Sequence, residues 1–277
     1  MKKQLLLTLL LLISIFGNAQ TLKLKKRSTD ALGGKAFALS ISDSTLSLQD
    51  REQKIYREIK KGNVPDFLRK LVEISDTSLD LQVSYYVLAD YLSIGSDDDF
   101  FYVPMTPILA QKVANLTKCS LPTKKIVDNI YSQAKIKLSP QPIPPTKAMT
   151  TVPVFIAHTD SVLAQLTSIL ATRHLGELVA GNKKDVIISN KIYGEISPRV
   201  VIYGWHKLDG KVIQPVYNKH TNSWADYSHG IRLVQKTIYV NQKKTSLEKA
   251  LRNAKFNLIF SDEGSIEKSF YPVFENY

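Results

Sequence analysis

Five histidines occur in the chain, His158, His174, His206, His220 and His229, and all of them follow residue 150. Imidazole changes charge near neutral pH and ligates metals, so a histidine beside a carboxylate suits acid–base or metal chemistry. His206 closes the apolar run Ile202-Tyr203-Gly204-Trp205-His206, and His220 sits in the polar stretch Asn218-Lys219-His220-Thr221-Asn222. His229 lies in Asp226-Tyr227-Ser228-His229-Gly230-Ile231-Arg232. A sheet would bring the ends of such runs to one rim. The expected catalytic group is therefore His206, His220 and His229, with Asp226 to orient an imidazole. Trp205, Tyr227, Ser228 and Arg232 are the expected substrate contacts: rings to stack, a hydroxyl to hydrogen-bond, and a guanidinium to hold a carboxylate. His158 and Asp160 are candidate ligands for a divalent metal such as zinc. No His-Glu-x-x-His spacing accompanies them, and no phosphate-binding glycine loop or dinucleotide fingerprint is present. A nucleotide cofactor is not expected.

The run Ser228-His229-Gly230-Ile231-Arg232-Leu233 resembles the Ser-His-Gly-Cys-Ile-Arg-Leu signature of the L,D-transpeptidases, which cross-link peptidoglycan. Those enzymes carry an upstream His-Gly on a strand, to which Gly204-Trp205-His206 is loosely similar. The resemblance covers only about residues 202–233. It implies that His229 and Arg232 line a substrate pocket. The family's nucleophilic cysteine would fall between Gly230 and Ile231, where this chain has no residue. Thiol acyl transfer is therefore not implied. Ser228 is the adjacent hydroxyl, without a Gly-x-Ser-x-Gly elbow to activate it.

The elements that must position these residues can be read from caps and periodicity. Ser47 precedes a helix over 48–61 that Gly62 stops. Pro65 opens a short turn at 66–71. Alternation over 79–87 predicts a strand, and 91–94 and 100–103 read as short strands around the solvated turn Gly95-Ser96-Asp97-Asp98-Asp99. Thr106-Pro107 and Pro122-Thr123 cap two helices. Beyond residue 150, a helix from Thr151 to about Arg173 is expected. Strands are expected at 185–189, 199–205, 211–216, 231–234 and 237–240, with Asp209-Gly210 as a hairpin turn. Thr245 caps a last helix. Residues 20–45 read as an irregular lead-in. The predicted class is α+β, with a mixed or antiparallel sheet in the C-terminal half and helices packed against it. Pro140, Pro142, Pro144 and Pro145 mark a stiff connector at 140–150 between an N-terminal half, 20–139, and a C-terminal half, 151–277.

Location and partner class follow from the ends and the charge. Met1-Lys2-Lys3, the apolar run 5–16 and Gly17-Asn18-Ala19 form a secretory signal peptide, 1–19, cleaved before Gln20. No cysteine adjoins the cleavage site, so a lipid anchor there is excluded. The apolar run is too short to span a bilayer, and no later segment is long enough. The expected location is secreted or periplasmic. Loss of Lys2 and Lys3 takes the formal charge from +12 to +10. The basic pairs are scattered, with no arginine-rich stripe, so nucleic acid is not the expected partner; an anionic envelope polymer or glycan is. Cys119 is the single cysteine, so no internal disulfide can form. These features predict an exported hydrolase or acyl-transfer-like enzyme acting on a cell-envelope polymer, peptidoglycan or glycan. The alternative is a non-catalytic envelope binding or structural protein.

Overall fold

The computed structural model describes residues 20–275; the expected signal peptide lies outside the described residues. The fold is α+β. Its helices are α1 (Gly34–Ser40), α2 (Leu48–Lys61), α3 (Pro107–Leu116), α4 (Lys124–Gln133), α5 (Val152–Ile169), α6 (Leu247–Arg252) and α7 (Asn257–Phe260). The caps explain several of these boundaries. Ser47 accepts from the Asp50 amide, Thr106 from Leu109, Thr123 from Ile126 and Ser246 from Lys249. Each bond satisfies one of the amides that a first helical turn leaves open. Gly62 ends α2 in the left-handed conformation. The helix α1 lies in the stretch expected to be irregular.

Among the described residues, thirteen strands form four sheets. The largest has the order β1 (Val72–Ser78), β2 (Leu81–Val87), β12 (Val234–Val240) and β13 (Lys243–Ser246), with β5 (Cys119–Ser120) also paired to β12. The strand expected at 79–87 is in fact the second arm of a hairpin. Leu79 and Asp80 are its turn, both with positive φ. The hairpin β3 (Ser93–Gly95) with β4 (Phe100–Tyr102) stands apart, as does the parallel pair β6 (Ile136–Lys137) with β7 (Val179–Ala180). The second large sheet has the order β10 (Val212–Tyr217), β9 (Ile202–His206), β8 (Lys184–Val186) and β11 (His229–Gly230). Within it β8 and β11 run parallel, and the other neighbours antiparallel.

The proline segment does not separate two sheets. Strand β12, from the C-terminal half, pairs with β2 and β5 of the N-terminal half. Buried residues from Leu22 to Tyr271 join one hydrophobic core. The stretches on either side of 140–150 are therefore parts of one body. Cys119 is buried in this core, and burial pushes its thiol up to about 11, so it behaves as a small apolar side chain. Unfolding midpoints measured with and without reductant should coincide. A shift beyond error in monomeric protein would contradict the single-thiol argument. Among the described residues, no helix is long and apolar enough to cross a membrane.

Candidate functional site: a buried polar cluster under an aromatic rim

Strand β8 divides the predicted site residues between two faces. Consecutive strand residues point to opposite sides. Lys184 places its ammonium 4.7 Å from the Trp205 ring centre, on the side where His229 is its register partner. Asp185, next in the chain, accepts a 2.7 Å hydrogen bond from the Tyr91 hydroxyl on the other side.

His206 belongs to the Asp185 face. Its Nε2 lies 3.3 Å from Asp128 Oδ1, which also accepts from the Tyr203 hydroxyl at 2.7 Å. Its ring stacks on Tyr131 at 4.3 Å. Residues 203 and 206 would face apart in a regular strand. They reach the same carboxylate because Gly204 and Trp205 both take positive φ, at 109° and 59°. Glycine accepts that conformation freely, whereas tryptophan pays about 1–2 kcal/mol for it. The indole is held there by its Nε1 bond to the Asn182 carbonyl, 3.2 Å, and by Lys184 over its face. This backbone reversal is why His206 does not meet His229, as the sequence led one to expect. The two imidazoles lie beside different carboxylates, His206 near Asp128 and His229 near Asp226, on different faces of the sheet.

The other predicted residues do converge. Asp226 Oδ1 accepts from the Ser228 hydroxyl at 2.5 Å and from the Ser228 amide at 2.9 Å. Its Oδ2 accepts from Trp224 Nε1 at 3.3 Å and lies 3.7 Å from His229 Nε2. His220 stacks on Trp224 with ring centres 4.4 Å apart and planes 10° from parallel. Burial raises the Asp226 carboxyl, but His229, the two Ser228 bonds and Lys184 outweigh it and bring it down to about 2. Burial pushes His229 down to about 4, against the pull of Asp226. Burial wins because 3.7 Å is too long for a hydrogen bond, and neither ring nitrogen of His229 has a protein partner. His220 is only half-buried; burial lowers its pKa too, opposed by Asp226.

Behind this group lies a lysine that sequence reasoning passed over as one of several scattered basic pairs. Lys183 is 1% exposed. Its Nζ donates to the Tyr227 carbonyl at 2.8 Å and lies 3.0 Å from His158 Nδ1. Burial pushes Lys183 down, while Asp226 and Asp90 oppose it. Burial, and then the lysine itself, push His158 down. Asp90 accepts from the Tyr102 hydroxyl at 2.6 Å. Gly230 permits the packing: a Cβ there would meet the Tyr91 ring at 2.5 Å and Lys183 Cβ at 2.6 Å. The available sequence signal was two lysines and an aspartate, Lys183-Lys184-Asp185, directly before an apolar run.

His158 and Asp160 part company on α5, as residues two apart on a helix do not share a face. His158 is buried against Lys183, while Asp160 is exposed. Among the described residues, no group of three or more histidine, cysteine, aspartate or glutamate side chains is placed to hold a metal ion. Arg232 is wholly buried. It donates to the Leu88 carbonyl at 2.9 Å and the Val179 carbonyl at 2.7 Å, with its guanidinium 4.2 Å from the Tyr91 ring centre. The Tyr227 hydroxyl is bonded to the backbone of Ile143. In the folded chain, these two predicted substrate contacts therefore serve the connector and the core.

Comparison of the chain with protein-family models, with curated proteins and with solved structures finds no match.

At the surface the cluster is roofed by His220, Trp224 and Lys184, all half-buried. Trp224 also lines a cleft of about 470 Å³ with Arg51, Asp43, Thr150, Thr151 and Ser223. The Arg51 guanidinium lies 5.6 Å from the Phe155 ring centre and donates to the Thr150 carbonyl at 3.2 Å. This combination offers a ring face, several hydroxyls, a cation and the Asp43 carboxylate. It can bind a sugar ring and an acidic substituent. The groups best suited to proton transfer, Asp226, Ser228 and His229, lie beneath it and out of contact with solvent.

Proposed function

We propose that this chain is an exported, non-catalytic binding protein of the cell envelope. Its ligand is an acidic glycan polymer, held in the cleft of Trp224 and Arg51. The carrying observation is the division of labour around Asp226. The carboxylate fixes Trp224 through the indole N–H and fixes the 226–229 turn through Ser228. The buried residues thus set the position of an aromatic ring that opens onto a hydroxyl-lined cleft. A tryptophan face suits a sugar ring, and a guanidinium suits a carboxylate. The net positive charge favours an anionic polymer.

Co-sedimentation of the purified mature chain with insoluble peptidoglycan tests the reading. The wild-type chain should sediment with the polymer, and Trp224→Ala should weaken the association by about tenfold or more. The melting curve of the variant establishes that it is folded. Equal sedimentation of a folded Trp224→Ala chain would end this reading. Export is tested separately: the native protein should begin near Gln20 when its N-terminus is sequenced, and a protein retaining Met1 in the cytoplasm would overturn it.

A second reading, a hydrolase or acyl-transfer-like enzyme on the same polymer, is favoured by one observation. Strongly perturbed titratable groups, Lys183, His158, Asp226 and His229, are packed together beneath the cleft, as at many catalytic sites. Release of soluble fragments from peptidoglycan, abolished in His229→Gln, would put this reading ahead of the first.

A further inference from the structure

Helix α5 carries an apolar stripe that the fold leaves partly open. Ile156, Leu163 and Leu170 recur every seventh residue, two helical turns apart, and all three are half-buried. Together with Leu166, and with Phe100 and Phe101 of β4, they line a groove of about 430 Å³. From Ile156 to Leu170 the stripe runs for about 21 Å, at about 1.5 Å per residue. The rim is acidic. Asp97, Asp98 and Asp99 come from the turn between β3 and β4, and Asp160 from α5, against one lysine, Lys35. Two of these carboxylates serve the fold: Asp97 accepts from the Phe67 amide at 3.1 Å and Asp99 from the Lys35 amide at 2.9 Å. Asp98 and Asp160 are exposed and, among the described residues, bonded to no protein group. Beyond Asp97 and Leu175 the groove continues into a second hollow, lined by Asp66, Glu73 and Glu177 against Lys70; there Arg69 pairs with Asp66 and Arg173 with Glu177.

Charge and length together select the occupant. Four carboxylates face one ammonium around the α5 groove, in a chain whose net charge is +12. An anionic polymer is repelled from this rim and a cation is drawn to it. The floor calls for apolar side chains, and its length matches about four turns of a helix. An amphipathic helix with an apolar face flanked by lysine or arginine meets both demands: the apolar face lies along α5, and the cations reach Asp98 and Asp160. A small lipophilic cation would leave most of the stripe in water. A second copy of this chain offers no matching surface, because its basic amphipathic helix α2 turns Ile55 and Ile59 into its own core.

We propose that the α5 groove binds basic amphipathic helical peptides. It shares no lining residue with the Trp224 cleft, and neither site requires the other. The test is fluorescence anisotropy of a labelled peptide of leucine and lysine, about 14 residues long with its leucines at helical spacing, titrated with the mature chain. The peptide should bind saturably. Leu163→Gln should weaken it by about tenfold. Asp98→Asn combined with Asp160→Asn should weaken it by about tenfold at low salt, and by less as salt is raised. Trp224→Ala should leave it unchanged. Melting curves of the variants establish that they are folded. Two control peptides, one with glutamate for lysine and one with its leucines scattered around the helix, should each bind at least about tenfold more weakly. The proposal is overturned by any of three results: no saturable binding, equal binding to the folded groove variants, or a control peptide bound as tightly as the first. Loss of binding in Trp224→Ala would move the peptide to the cleft and equally overturn it. So would a dimer of the free chain that Leu163→Gln dissociates, since the groove would then belong to a second copy.

Discussion

Arg232→Met should destabilise the protein by about 3–5 kcal/mol, the cost of breaking a buried charge network from one side. Arg232 is wholly buried, and its charge lowers the carboxyls of both Asp90 and Asp185 against burial. It also satisfies the carbonyls of Leu88 and Val179. Methionine fills much of the volume but leaves those carbonyls and two carboxyls without their cation. Domains are typically stable by about 5–15 kcal/mol, so the loss is a large share of the whole. The melting temperature should fall by on the order of 10 °C. Urea unfolding of the two proteins side by side measures it. A loss under about 1 kcal/mol would mean that the guanidinium is dispensable and that the network has been misjudged.

The second large effect is on acid stability. His229 has a folded pKa near 4, below the 6.5 of an unfolded histidine, because burial disfavours its charge. Between those values the unfolded chain binds a proton that the folded chain does not. Stability therefore rises with pH across about 4 to 6.5, and is lost as pH falls through that window. At about 1.4 kcal/mol per pH unit, the full effect is roughly 3 kcal/mol. The groups facing the ring are Asp226, Lys184, His220 and Lys183. Asp226 has its own depressed value, near 2 against 3.8, so its contribution is lost only below about pH 4, outside the window. Melting temperature plotted against pH should rise more steeply from 4 to 6.5 in the wild-type chain than in His229→Gln. Parallel curves would show that His229 is not held neutral.

The parts of the fold that were legible in the sequence carry their signal locally. Helix α2 was readable to the residue, because Ser47, the apolar face and Gly62 are all local marks. Helix α1 was not, since Gly33 caps nothing with a side chain and the helix begins on Gly34. Strand β1 was missed because its inner face offers only Val72 and Ile74 before Asp76, too little alternation to register. At the site, the clustering of Asp226, Ser228 and His229 was legible, being set within one turn. The separation of His206 from them was not. It depends on two consecutive positive-φ residues, and Trp205 gives no hint of one. Lys183 was overlooked because a charged pair reads as solvated surface, and only the tertiary fold brings His158 to it.

The pairing of β2 with β12 bears on the order in which the chain can fold. Val83 lies beside Val240, so the central seam of the largest sheet joins positions more than 150 residues apart. Closing so long a loop costs entropy before any contact is repaid, which makes folding slow. Until residue 240 has been synthesised, β2 keeps one open edge and the apolar side of the hairpin lacks its cover. A nascent chain ending near the prolines thus cannot complete its core. Such a polypeptide acquires its structure only when the last quarter of the molecule has followed.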